Sequence, residues 1–174
     1  RPMMTRPQWE NLNGLWDYAI RPENESTPHH FDGKILVPFA VESSLSGVQK
    51  RLDENQLLWY QHEFSINKNW KGKNILIHFG AVDWKTEVWI NDIKIGDHQG
   101  GYDPFSFDIT PFLNNTAKQK IVVKVWDPSD KGYQPRGKQT SEPRGIWYTP
   151  VTGIWQTVWL EAVPKTHIQK LEHH

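Results

Sequence analysis

Apolar and polar residues alternate with a period of two in stretch after stretch of this chain, and no stretch of useful length shows the 3.6-residue period of a helix. The pattern runs through Asn11–Ile20, Leu58–Ile66, Asn74–Phe79, Trp84–Ile90, Lys118–Trp126 and Ile154–Ala162, with a shorter apolar run at Lys34–Val37 stopped by Pro38 and a further strand in PFSFDITPFL, from Pro104, that ends at Asp108 to Pro111. In Leu58–Ile66 the residues Leu58, Tyr60, His62, Phe64 and Ile66 share one face, opposite Trp59, Gln61, Glu63 and Ser65. About eight short antiparallel strands with turn signals between them, and no interleaved helices, predict an all-β sandwich or jelly roll rather than a parallel sheet.

The connections fit that reading. Asn91-Asp92 sits between two strand patterns and predicts a tight hairpin, because both residue types tolerate positive φ. Asp108 and Thr110 are placed to bond nearby backbone N–H groups at the end of a strand. The stretch from Phe39 to Gln56 has neither period and is read as irregular with one helical turn at most, and Asn67–Lys73 as a turn-rich connector.

With 174 residues the chain suffices for one domain with a full core and is short for two. Twenty basic residues balance twenty acidic ones, so no overall field draws it to nucleic acid or an anionic membrane. No run approaches the roughly 20 apolar residues of a membrane span. Cysteine is absent, which excludes disulfides and zinc–thiolate sites. The compartment stays open, with a periplasmic or extracellular location favoured over a cytoplasmic one. Ten tryptophans, most of them on strand patterns, supply core bulk, and an exposed few would suit stacking on sugar rings.

One segment breaks the pattern. From Asp127 to Gly153 no apolar period is visible, yet the stretch carries Tyr133, Trp147 and Tyr148 among Arg136, Lys138, Glu142 and Arg144. Loops longer than about 12–15 residues in a compact domain are functional or disordered, and aromatics argue against disorder. Trp147 and Tyr148 are adjacent, so on an extended backbone they point opposite ways, one to the core and one to solvent. On such a loop one of Trp147 and Tyr148 would form an apolar wall of a ligand pocket, and Glu142, Arg136, Arg144 and Lys138 would offer hydrogen bonds around it. The plainer alternative is that the aromatics pin the loop to the sandwich and the charges are solvated.

His98, Asp103 and Asp108 read as turn and hairpin residues rather than a metal or acid–base set. His29-His30 is a weak metal motif. Asp17, Asp83 and Asp127 are the carboxylates a structural calcium would use, but no loop has concentrated acidic spacing, and no metal and no cofactor are expected.

Four motifs, in order, carry a resemblance: LNGLW at Leu12–Trp16, LWYQHEF at Leu58–Phe64, VWINDIKIGDHQGGYDPFSFDIT at Val88–Thr110 and GIWQTVWLE at Gly153–Glu161. Together they resemble the N-terminal sugar-binding-type domain of glycoside hydrolase family 2, the family of β-galactosidases, β-glucuronidases and β-mannosidases. The resemblance implies a galactose-binding-like jelly roll over residues 1–163, a linker beginning at 164–170, and then an immunoglobulin-like domain and a TIM barrel. Residues 171–174 look like a tag remnant.

In that family the catalytic glutamates lie on the barrel. Retaining glycosidases use two carboxyl groups about 5–5.5 Å apart, and no pair in this chain stands out as one, so the expectation is a non-catalytic domain whose partners are the later domains and the carbohydrate at the parent active site. The resemblance also implies that the loop before Gly153-Ile154-Trp155 leans over the barrel mouth. The acidic residue the galactosidases and glucuronidases use there aligns with Trp147, so their sugar specificity does not carry over. An autonomous carbohydrate-binding module and a purely structural domain are the alternatives. A rim built for a missing barrel would be poorly ordered on its own from Tyr133 to Glu142.

Overall fold

The computed structural model describes residues 6–169. The tag-like residues 171–174 and the last residue of the expected linker, Lys170, lie outside the described residues. Twelve strand segments form: β1 (Trp9–Asn11), β2 (Gly14–Pro22), β3 (Gly33–Val37), β4 (Gln56–Phe64), β5 (Asn74–Phe79), β6 (Val82–Asp83), β7 (Lys85–Ile90), β8 (Ile93–Gln99), β9 (Phe105–Asp108), β10 (Gln119–Trp126), β11 (Gly153–Ile154) and β12 (Val158–Val163). They make a six-stranded sheet ordered β3-β2-β4-β10-β7-β8, a four-stranded sheet ordered β1-β12-β5-β9, and a small ribbon of β11 with β6. All strand pairings are antiparallel. This is the jelly-roll sandwich that the alternation predicts.

The alternating residues fill the space between the sheets. Leu58 and Tyr60 of β4, Ile121, Val123 and Val125 of β10, Val88 and Ile90 of β7 meet Ile75, Ile77 and Phe79 of β5 and Val158 and Leu160 of β12. Removing each such side chain from water contributes about 1.5–3 kcal/mol. Trp16 is fully buried, donates its indole N–H to the Leu12 carbonyl at 2.8 Å, and stacks on His62. Asn91 and Asp92 take φ of 49° and 68°, the doubly left-handed turn their sequence predicts. Thr110 N–H bonds Asp108 Oδ1 at 2.9 Å, while the Thr110 hydroxyl accepts from the Ile75 N–H.

One reading needs correction. The single strand expected over Ile154–Ala162 is two: Ile154 pairs with Val82 in the small ribbon, and pairing with β5 begins only at Val158. The chain changes sheet at Trp155–Thr157, so one alternation covers two directions. The period sets Trp59 opposite Leu58 and Tyr60, on the outer face of the six-stranded sheet. It is buried, because the outer face of the six-stranded sheet carries its own cluster of Ala19, Leu57, Trp59 and Val122, flanked by Phe31, Trp89 and Trp126. Phe31 reaches it from the β2–β3 connection. Alternation reports the face of a residue and not whether that face is covered.

Candidate functional site

The segment between β10 and β11 is the site's frame. It folds back on itself through polar contacts. Tyr148 N–H bonds the Lys138 carbonyl at 2.8 Å and Thr140 N–H bonds the Tyr148 carbonyl at 3.0 Å, so Gln139 and Tyr148 form a parallel bridge. Asp130 accepts from the Thr140 hydroxyl at 2.8 Å and from the Ser141 N–H and hydroxyl at 3.0 and 3.1 Å. Partial burial works against the Asp130 anion, but these donors prevail and hold its carboxyl below the usual carboxylate range. The stretch from Tyr133 to Glu142, for which disorder is expected, thus has a hydrogen-bond pattern of its own.

Buried polar groups tie the segment to the sandwich. Gln139 donates to Asp83 Oδ2 at 3.0 Å and accepts from Val151 N–H at 2.6 Å. Thr152 sends its hydroxyl to Asp127 Oδ2 and its N–H to Glu42 Oε2, each at 2.9 Å. Tyr60 Oη accepts from Ile154 N–H at 3.1 Å, and Arg51 reaches the Ser141 carbonyl at 2.8 Å. Burial, reinforced by Asp127, pushes the Asp83 carboxyl up to about 7. Burial also raises Glu42 to about 7, with the Thr152 bonds opposing and Asp127 adding to it, and raises Asp127 itself. These three acids, the strongest chemical feature near the segment, are only partly legible in sequence: Asp83 and Asp127 stand out as carboxylates, whereas Glu42 sits in a stretch without any pattern.

Trp147 is 41% exposed and Tyr148 65% exposed, so neither is core, in contrast to the one-in, one-out expectation. The buried member of the neighbourhood is Pro150. The Arg136 guanidinium lies 5.8 Å from the Trp147 ring centre and donates to the Asp130 carbonyl at 2.8 Å. Glu142, Lys138 and Arg144 are exposed and join no salt bridge found among the described residues. Of the six predicted residues, the fold therefore brings Arg136 to Trp147 and leaves the other four, Tyr148, Lys138, Glu142 and Arg144, at the surface.

Tyr102 joins them unannounced. It is exposed, meets Trp155 edge to face, and its hydroxyl lies beside Gly137, where an added Cβ would sit 3.2 Å away. Trp155 in turn donates its indole N–H to the Gly101 carbonyl at 2.7 Å. The Gly100-Gly101 pair is the signal that could have revealed it: a Cβ on Gly101 would lie 2.4 Å from Asp83 Oδ1, so the turn must approach closely.

Among the described residues no three His, Cys, Asp or Glu side chains are grouped to hold a metal ion. Asp17 pairs with Lys34 at 2.7 Å, His29 and His30 are exposed, and His98 stacks on Phe105 with ring centres 4.2 Å apart.

The family description "Glycosyl hydrolases family 2, sugar binding domain" matches residues 9–164. A β-galactosidase of Thermoanaerobacter pseudethanolicus is 30% identical over 164 residues, which is 91% of this chain and 21% of that protein. A putative β-glucuronidase of Formosa agariphila is 34% identical over 66% of this chain and 13% of its own length. The structure of Bacteroides uniformis β-glucuronidase aligns at 25% identity with a TM-score of 0.65, covering 90% of this chain and 18% of that one. This chain thus spans about a fifth or less of these relatives.

Proposed function

The chain belongs to the glycosyl hydrolase family 2 sugar-binding domains, and from that premise we propose that it is a non-catalytic N-terminal domain lending the Asp127–Gly153 segment to the sugar pocket of a β-glycosidase. The parent enzyme is then a retaining glycoside hydrolase whose acid–base and nucleophile carboxylates lie on a TIM barrel beyond an immunoglobulin-like domain. What carries the reading is the exposed Trp147 with Arg136 set against its face, on a segment whose fixing contacts are buried elsewhere. An aromatic face kept in water beside a cation is the arrangement that stacks on a sugar ring and bonds its hydroxyls. With Trp147 where relatives of the resembled type have a carboxylate, recognition here runs through stacking.

The test uses the full-length enzyme. Trp147→Ala is expected to raise KM for a β-glycoside about tenfold, a loss of about 1.4 kcal/mol of binding, with kcat little changed. Unchanged constants would leave the segment a structural role only. Hydrolysis of aryl β-glycosides by the purified 174-residue chain would overturn the non-catalytic assignment. Exposure of Tyr102 and Tyr148 in addition to Trp147 favours one alternative, a module that binds sugar unaided. Calorimetric titration of the chain with free sugars separates the two, since millimolar or tighter binding requires no barrel.

A further inference from the structure

Three carboxyl groups from three separate parts of the chain meet the segment at its roots and middle. Glu42 comes from the β3–β4 connection, Asp83 from β6 and Asp127 from the end of β10. Glu42 and Asp127 hold Thr152, Asp127 also takes the Ser129 N–H at 2.8 Å, and Asp83 holds Gln139. Asp83 and Asp127 are 3% exposed, and Glu42 has a buried oxygen, Oε1, with no partner. No ion pair found among the described residues involves any of the three.

We propose that Glu42, Asp83 and Asp127 are positioning residues that clamp the Asp127–Gly153 segment while they hold protons between them, and release it when they ionise together. Buried anions without a counter-charge repel one another and lack the water that would stabilise them. Opening the segment exposes all three, so ionisation favours the open form. Of the titratable groups near the set, the Tyr60 hydroxyl from β4 is itself buried and neutral, and the β8–β9 connection brings the Gly101 backbone against Asp83 with His98 and Asp103 flanking Gly100.

The direction follows from the raised values. A carboxyl that binds its proton more tightly closed than open stabilises the closed form in acid, below the ordinary carboxylate range, and that stabilisation is lost as pH rises through about 7 for Glu42 and Asp83. The clamp needs no sugar. Its consequence for substrate, a rim that stiffens in acid, rests on the proposed pocket-lending role, and the test below reads the clamp alone.

The experiment is hydrogen exchange of the 174-residue chain between about pH 5 and about pH 8, corrected for the intrinsic exchange rate. Protection of peptides within 127–153 should fall by about tenfold for each pH unit crossed below 7 and each proton held, while β4 and β5 peptides keep theirs. Asp83→Asn and Glu42→Gln, whose amide oxygens still accept hydrogen bonds, should each flatten the pH dependence of that segment. Flat protection in the unaltered chain, or an unchanged slope in both variants, would overturn the proposal. Should the variants not fold, carboxyl carbon-13 titration of the unaltered chain decides: midpoints near 7 for two carboxyls support the clamp, and midpoints all near 4 sink it.

Discussion

Gly153 ends the Asp127–Gly153 segment, and the most pointed test of how that end is held is to give it a side chain. Its φ is +92°, and a Cβ there would lie 2.0 Å from Tyr60 Oη and 2.9 Å from Leu58 Cδ2. Three costs combine in Gly153→Ala. A residue with a Cβ in left-handed backbone loses roughly 1–2 kcal/mol. Overpacking a filled core costs about 1–3 kcal/mol. If Tyr60 swings away to relieve the clash, the buried Ile154 N–H loses its acceptor, at about 1–3 kcal/mol. The last two partly exclude each other, so the expected total is about 3–5 kcal/mol, a large share of the roughly 5–15 kcal/mol that holds a domain together. Urea denaturation measures it, with Gly14→Ala as control: Gly14 has φ of +134° and nothing within 4 Å of a Cβ, so it should lose only the backbone part. Pairing Gly153→Ala with Tyr60→Phe should give a coupling energy of at least about 1 kcal/mol. Equal losses at the two glycines, or no coupling, would refute the role given to Tyr60.

Arg6 donates to Glu161 at 2.7 Å, and His78 lies 3.2 Å from the same oxygen; because Glu161 is nearly buried but Arg6 is partly exposed, Arg6→Ala should cost about 1–3 kcal/mol in thermal or urea unfolding. Asp92→Gly relieves a left-handed non-glycine residue in the β7–β8 turn and gives up only the solvent-exposed pair with Lys120, so it should stabilise by about 0.5 kcal/mol or more. Asp32 is partly buried, but bonds from Ile20 N–H and Arg21 hold its carboxyl below the ordinary value. Asp32→Asn should therefore be less stable than the unaltered chain by about 1 kcal/mol at neutral pH, and the gap should close as pH falls through the carboxylate range.

Most strands of the sandwich could be read from the chain because their inner face is buried along its whole length, and burial on one face writes a period of two into the sequence. Where that condition fails, so does the reading. Trp9–Asn11 is exposed throughout and three residues long, Val82–Asp83 is buried on both sides and two residues long, and neither can show a period. Ile154 and Val158 belong to different sheets, yet the alternation runs through the break between them. The hairpin at Asn91-Asp92 and the Asp108–Thr110 turn were legible for a different reason: their chemistry is local, and a few neighbouring residues contain all of it.

The Asp127–Gly153 segment was legible as an anomaly but not as a structure, and its proposed role explains why. An element that offers aromatic side chains to a sugar cannot be fastened by burying them, so Trp147 and Tyr148 stay in water and the fastening falls to polar groups. Gln139 on Asp83, Thr152 on Asp127 and Glu42, and Ile154 on Tyr60 join positions far apart in the chain. Such bonds leave no periodic trace, because each depends on a partner brought by the fold. Polar anchors differ from apolar ones in a further respect: a buried methyl group holds at any pH, whereas a buried acid with no counter-charge holds best while its proton stays. A segment fixed by Glu42, Asp83 and Asp127 is therefore open to control by protons in a way that one fixed by leucines would not be.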